Sequence, residues 1–253
     1  MKTPIRDPKF CNASTSQIVK IIEPGASINT YRFFSGAVEL SLSRYDFDIN
    51  SHTQRPAIAE FWYCLFENPE LLYHKIQYKD FIPKTDMQFA ILQKTFLDYK
   101  DPYFRAALFF MLTTCSDLGR PSCGKFDKTK LTAVVLNRLK SFKKPKNFNL
   151  HYGDNSYQQI FSNKIIGDYI LFPNLIFNYN LFDYGKSSSF DSQIVNHSFL
   201  RDLLSKQKKT ILIYNNHPAL LKFFNKFNIT LVDKYGNISN NSTNYEEAIV
   251  TNF

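Results

Sequence analysis

Phe148-Asn149-Leu150-His151-Tyr152-Gly153-Asp154, then Tyr157-Gln158-Gln159-Ile160-Phe161, then Gly167-Asp168-Tyr169-Ile170-Leu171-Phe172-Pro173-Asn174-Leu175-Ile176-Phe177, is the stretch that decides the fold. The first piece reads as a short apolar strand ending in Gly-Asp. The second reads as a helical turn or two. The third reads as a strand that runs into turn chemistry around Pro173 and Asn174. Strands joined through a helix pair in parallel, because the crossover returns the chain to the end it started from. Their polar ends describe the rim of an open α/β sheet, where ligands bind beyond the carboxyl ends of the strands.

Working outward, Thr30–Phe34 is strand-like and Ser35-Gly36 opens a helix over Ala37–Ser43. Such a junction points backbone N–H groups at a ligand; a plain packing turn is the simpler reading. Tyr45–Asn50 reads as a second strand ending in an acid, with Asp48 either holding a ribose or capping the next helix. Residues 55–142 are helix-rich. Asn68-Pro69, Thr85-Asp86 and Asp101-Pro102 mark helix starts, and a Gly- and Arg-bearing loop occupies Leu118–Phe126. After the central stretch come a helix (Ser192–Lys206), a strand (Lys209–Tyr214) and a helix (Pro218–Phe227). Two strands close the chain, Ile229–Lys234 and Glu246–Thr251, expected to form an antiparallel hairpin. This alternation predicts an α/β, Rossmann-like fold with a mostly parallel sheet built from residues 1–54 and 143–253, and a helical lobe, 55–142, inserted between its strands.

Composition sets the outer bounds. The chain has 253 residues, 44% hydrophobic and 21% charged, enough to bury a full core. Aromatics reach 16%, with 25 Phe and 15 Tyr, a bias that an AT-rich genome would also produce. A net charge of +9 favours polyanionic partners, with nucleic acid foremost. Cys11, Cys64, Cys115 and Cys123 form no C-x-x-C pair and no zinc-spaced cluster, so no metal is expected. They read as reduced thiols. With no membrane-spanning run and no signal-peptide pattern, the expected setting is intracellular (cytoplasm, host cell or virion-associated), neither secreted nor membrane-bound. No P-loop, Ser-His-Asp order or paired-carboxylate spacing is present. Arg138, Lys140, Lys143, Lys144 and Lys146 crowd the end of one predicted helix, either as a phosphate-contacting patch or as cations balancing a helix carboxyl end.

The order of these pieces resembles the Dam-type adenine-specific DNA methyltransferases over nearly the whole chain. Tyr31-Arg32-Phe33-Phe34-Ser35-Gly36 lies where that family has Glu-Pro-Phe-x-Gly-x-Gly, and Phe47-Asp48-Ile49-Asn50 is similar to its Asn/Ala-Asp-Ile-Asn segment. Gly119-Arg120…Gly124-Lys125-Phe126 resembles its DNA-contacting hairpin, and Gly153-Asp154 the acid near the cofactor adenine. Tyr245–Phe253 resembles its closing Glu-x-x-Ile-x-Asn-Tyr. The resemblance implies an S-adenosylmethionine site at Phe34, Ser35, Gly36, Asp48 and Asp154. It also implies contacts to DNA from Arg120 and Lys125, to which the cluster Arg138, Lys140, Lys143, Lys144 and Lys146 adds a nucleic-acid-binding patch if its cations meet phosphates.

The departures decide what function the resemblance implies. Phe10–Gln17 lacks the glycines of the family's first cofactor motif. Arg32 replaces a Glu, Phe33 a Pro and Val38 a Gly. The catalytic Asp-Pro-Pro-Tyr is missing; read without a gap it becomes Pro173–Ile176, and with one insertion Asn174-Leu175-Ile176-Phe177. The latter keeps an Asn and an aromatic. In that motif an Asp or Asn oxygen and a backbone carbonyl accept the hydrogens of the adenine amine, two prolines fix the carbonyl's direction, and the aromatic stacks on the flipped base. Three eroded motifs imply a scaffold that has lost catalysis and persists as a nucleic-acid-binding or assembly subunit. The alternative is an active, divergent methyltransferase with Asn174 and Phe177 as its catalytic pair. A third reading is a structural component of a viral or other large assembly.

Overall fold

The computed structural model describes residues 3–5, 7, 12–77, 81–153, 167–177, 182–183, 195–206 and 209–253. The elements begin with α1 (Thr15–Ile21), β1 (Ser27–Tyr31), α2 (Ala37–Leu42) and β2 (Asp48–Thr53). A helical stretch follows: α3 (Pro56–Glu67), α4 (Pro69–Ile76), α5 (Asp86–Thr95), α6 (Pro102–Cys115) and α7 (Ala133–Lys140). The chain then runs through β3 (Phe148–Tyr152), β4 (Tyr169–Leu175), β5 (Phe182–Asp183), β6 (Val195–Asn196) and α8 (His197–Lys206). It ends in β7 (Lys209–Asn215), α9 (Leu220–Phe223), β8 (Asn228–Val232) and β9 (Glu247–Thr251). Two compact units result. One is built on Gln54–Lys144 with the start of the chain, the other on Lys9–Thr53, Pro145–Tyr184 and Gln193–Phe253.

The second unit holds a seven-stranded sheet in the order β3-β2-β1-β4-β7-β9-β8. The pairs β3–β2, β2–β1, β1–β4 and β4–β7 are parallel. β9 is antiparallel to both β7 and β8. Leaving β9 aside, the strands follow the doubly wound order 3-2-1-4-5-6, with one reversed strand wedged between the fifth and sixth. β8 and β9 form the expected antiparallel hairpin. β5 and β6 make a separate two-stranded ribbon. One face of the β4–β7–β9 half carries Phe172, Leu175, Leu212, Tyr214, Ala248 and Val250, and α8 covers it with Leu200, Leu203 and Leu204.

Two strands sit later in the sequence than their apolar pattern suggests. β2 begins at Asp48 instead of ending just after it. The inward alternation passes from Phe47 and Ile49 to Ser51 and Thr53, all buried. Polar residues hide that continuation from a hydrophobicity reading, and burial is tolerated because Thr30 Oγ1 donates to Ser51 Oγ at 2.9 Å. β4 continues through Pro173, which has no N–H to give a sheet. Pairing with β1 accordingly stops at Leu171, and the register with β7 shifts between Phe172 and Leu175. This is the bulge setting in which a central strand accepts proline. β1 likewise ends at Tyr31, so Arg32 to Phe34 belong to the following loop.

The helical unit follows its caps. Asn68 accepts from Leu71 N, Thr85 from Gln88 N, Asp101 from Tyr103 N and Phe104 N, and Thr132 from Val135 N. Pro69 and Pro102 stand in first turns, where a missing N–H costs nothing. α6 is buried on nearly every side from Ala106 to Thr113, as a central helix must be. α3 and α4 pack on it. No helix among the described residues is long and apolar enough to cross a membrane.

A buried carboxylate ties α1 to the sheet. Glu247, 1% exposed, accepts from Asn12 N at 2.9 Å, Ser14 N at 2.8 Å and Ser14 Oγ at 2.6 Å. Removing it strands three donors, and hydrogen bonds to charged groups contribute about 1.5–3 kcal/mol each. Glu247→Leu is expected to destabilise by at least about 3 kcal/mol, read from the urea midpoint at constant m. Glu246→Gln, at an exposed neighbour, should change stability by less than about 0.5 kcal/mol. Equal effects of the two substitutions would refute the tie.

Candidate functional site at the carboxyl ends of the strands

The strand order reverses between β1 and β4, so the crevice beyond their carboxyl ends is where an open α/β sheet binds ligands. Arg32 follows β1 and has φ +67°; Asn174 lies near the end of β4 with φ +60°. Both are in the left-handed region, which costs a non-glycine residue on the order of 1 kcal/mol and concentrates at functional sites. They face one another: Arg32 Nη1 donates to the backbone carbonyl of Asn174 at 3.3 Å.

The loop from Arg32 to Gly36 is packed shut on its inner side. Phe33, Phe34, Ser35 and Val38 are all buried. Gly36 needs its freedom, with φ +65° and no room for a side chain. A Cβ there would lie 3.0 Å from the Phe33 ring and 3.1 Å from Leu40. The Phe33 ring, 5.6 Å from that of Phe148, therefore fills space beside Gly36. Beneath this loop Glu39 of α2 is 1% exposed, and burial raises its pKa to about 7 despite hydrogen bonds from its own backbone and Thr30.

Four rings form a row across the same end of the sheet. Tyr31 stacks on Phe172 at 5.2 Å and on His52 at 4.9 Å, and His52 stacks on His151 at 5.0 Å. Tyr31, His52 and His151 stand at matching register positions on β1, β2 and β3, so the spacing of the rings follows that of the strands. His52 Nε2 meets Asn29 Oδ1 at 3.0 Å. Burial, followed by the nearby His151, pulls the His52 pKa down to about 4. The row escaped the sequence reading because its members lie far apart in the chain.

The residues singled out from sequence scatter. Phe34, Ser35, Gly36 and Asn174 come to the carboxyl ends of β1 and β4. Asp48 does not. It starts β2, opposite Ser27 at the start of β1, and so lies at the amino end of the sheet, roughly five residues or ~17 Å from the rim. Phe177 is no stacking platform. It is 4% exposed, with His197, His217 and Phe223 rings within 5.1–5.2 Å. Asp154 lies outside the described residues, as does the helical turn expected at 157–161. In the helical unit Arg120 pairs with Asp7 at 3.2 Å, within a hairpin marked by the Ser116–Phe126 and Arg120–Cys123 bridges. Lys125, Lys140, Lys143 and Lys144 are exposed and Arg138 half-buried. Lys146, also exposed, belongs to the sheet unit. Among the described residues no group of three or more His, Cys, Asp or Glu is placed to hold a metal ion. Neither a protein-family model nor a curated protein matches the sequence.

The two shifted groups give stability a pH signature. The folded pKa of His52 is depressed, so its contribution is full above about pH 6.5 and is lost as pH falls toward 4. The folded pKa of Glu39 is raised, so its contribution is full below about pH 4.5 and is lost as pH rises through 7. The slopes oppose one another between those limits. Glu39→Gln removes one of them. The variant should match the wild type near pH 4 and exceed it above pH 7 by about 3 kcal/mol, at ~1.4 kcal/mol per pKa unit. Parallel unfolding curves for the two proteins from pH 4 to 8 would contradict this.

Proposed function

We propose that this chain is a methyltransferase-like scaffold that has lost methyl transfer and acts as a nucleic-acid-binding subunit. The observation that carries the reading is the hydrogen bond from Arg32 to the Asn174 carbonyl. In the adenine methyltransferases that the sequence resembles, a backbone carbonyl whose direction two prolines fix accepts an amine hydrogen, and in the ungapped reading Pro173–Ile176 it is Asn174 that stands at the first of those prolines. Here a guanidinium already takes one of its two lone pairs. The amine nitrogen also gains positive charge as it attacks the methyl group. A fixed cation beside that oxygen opposes the developing charge. Phe177, inside the core, is not available to stack on a flipped base, and Phe33 crowds the glycine that would face S-adenosylmethionine.

The sheet supports descent from such a scaffold. It is mostly parallel, and its last two strands form the antiparallel hairpin that the sequence predicts. This is a fold-level argument, and fold alone does not assign chemistry. The nucleic-acid half of the reading rests on charge. Residues 54–144 contain fifteen Lys and Arg against nine Asp and Glu. The competing reading, an active divergent adenine methyltransferase, draws on Asn174, which keeps an amide at the rim in a strained backbone.

A radiolabel methyl-transfer assay on adenine-containing duplex and single-stranded DNA separates the two. The expected outcome is no turnover, no calorimetric binding of S-adenosylmethionine at millimolar concentration, and DNA binding that weakens steeply with salt. Robust methyl transfer would overturn the proposal, and absence of any DNA binding at low salt would remove its second half.

A further inference from the structure

Between Lys125 and Lys146 the chain carries eight cations, Lys125, Lys128, Lys130, Arg138, Lys140, Lys143, Lys144 and Lys146, against the single acid Asp127. Lys130 is committed to the carbonyl of Ser116 at 2.8 Å. Among the described residues none of the other seven makes an ion pair, whereas Lys75, Arg105, Arg120 and Lys209 all do. Two of the seven instead rest on aromatic faces. Lys140 Nζ sits 5.3 Å from the centroid of the Tyr73 ring, and Lys144 Nζ 5.4 Å from that of Phe66. The segment between them is pinned by Phe142, buried against Trp62 and Phe66. Lys140, Lys143 and Lys144 are therefore held at the exit of α7 by a ring anchored in the core. Of the neighbouring acids, Glu67 is engaged by the Tyr103 hydroxyl, and Glu70 lies in the first turn of α4.

From this arrangement we infer that the exit of α7, with Tyr73 of α4 and Phe66 of α3, is a binding surface for single-stranded nucleic acid. The inference rests on the nucleic-acid reading above and adds the surface and the strand form. Unpaired ammoniums track phosphates by releasing counterions. Cations already paired with carboxylates do so poorly, because each must first surrender a partner. The rings supply what a phosphate track alone lacks. When the ammonium of Lys140 shifts onto a phosphate, the face of Tyr73 beneath it is uncovered for an unstacked base. In a duplex the bases are already stacked on one another and gain nothing from a ring. A lipid surface fits less well, because Phe66 and Tyr73 are half-buried beneath the cations rather than projecting as wedges.

The full chain is tested by fluorescence anisotropy with a single-stranded 20-mer, the matching duplex, and phosphatidylserine vesicles. The single strand is expected to bind tighter than the duplex. The K140E/K143E/K144E variant should lose at least about tenfold in affinity, and its log–log salt slope should shrink by about 2, at ~0.7 per phosphate contact for single strands. Tyr73→Ala should weaken single-strand binding about fivefold or more while leaving the duplex unchanged. Tyr73→Phe, which keeps the ring, should restore it. Circular dichroism and melting of each variant establish that it is folded. If the wild type binds no nucleic acid, the parent reading fails and this one with it. If the wild type binds and the triple variant binds equally well, the surface is wrongly assigned and the parent reading stands. Equal single-strand and duplex affinity, insensitive to Tyr73→Ala, overturns the strand preference. Vesicle binding lost in the triple variant, without nucleic-acid binding in the wild type, would make the surface a membrane contact.

Discussion

The pairing of β1 with β4 ends at Leu171 because Pro173 has no hydrogen to continue it, and the rim is built on that interruption. Once the two strands part, the backbone at Asn174 turns into the left-handed region and its carbonyl leaves the sheet. An oxygen released in this way needs a donor. Arg32, itself turned left-handed as the chain leaves β1, supplies one. Two strained residues thus support each other across the point where the strand order reverses. A guanidinium is suited to the task, since it stays charged and offers several N–H groups in a rigid plane. The same contact gives the rim a cation where an amine-activating site needs an acceptor.

Much of this fold is legible in the sequence wherever burial is achieved by apolar side chains. Leu171 and Phe172, the Ile249–Val250 pair and the apolar helix after Pro102 identify their elements without ambiguity, and the caps at Asn68, Thr85 and Asp101 behave as their side chains suggest. Legibility fails where polar groups are buried in pairs. Thr30 and Ser51 satisfy each other inside the sheet, so β2 extends past the point where hydrophobicity fades, and Asp48 moves from the end of a strand to its beginning. Phe177 shows the reverse error. An aromatic following a rim asparagine fits a stacking role in one dimension, while in three dimensions a nest of His197, His217 and Phe223 claims it. The row of Tyr31, His52 and His151 depends on register across three strands, which no local pattern encodes.

Charge is sorted unevenly over the molecule. Acids that are buried do structural work, as Glu247 does at the start of α1, or are held in a neutral form, as burial favours for Glu39 below about pH 7. The cations of the helical unit differ in how they are met. Lys75, Arg105 and Arg120 are neutralised by Asp101, Glu60 and Asp7 within the helical unit. Those around the exit of α7 are left uncompensated, two of them over rings. A lysine lying on a ring gains on the order of 0.5–1 kcal/mol at an exposed site. That is enough to order the side chain and too little to hold it against a phosphate. The arrangement resembles a surface kept ready more than one locked into the fold.

The reversed strand imposes an order of events on biosynthesis. Among the described residues β8 pairs with no strand other than β9, and the free side of β7 is completed by β9, which follows both in sequence. While β9 is still inside the ribosome, β7 presents an open, strongly apolar edge and β8 has nothing to pair with. The emerging chain must carry that exposed edge for the time needed to synthesise the intervening residues. Edges of this kind recruit other chains, so the pairing of Ala248-Ile249-Val250 with β7 also closes that edge to a neighbour. Glu247 of β9 in turn holds the start of α1, so strand and helix each depend on the other being in place.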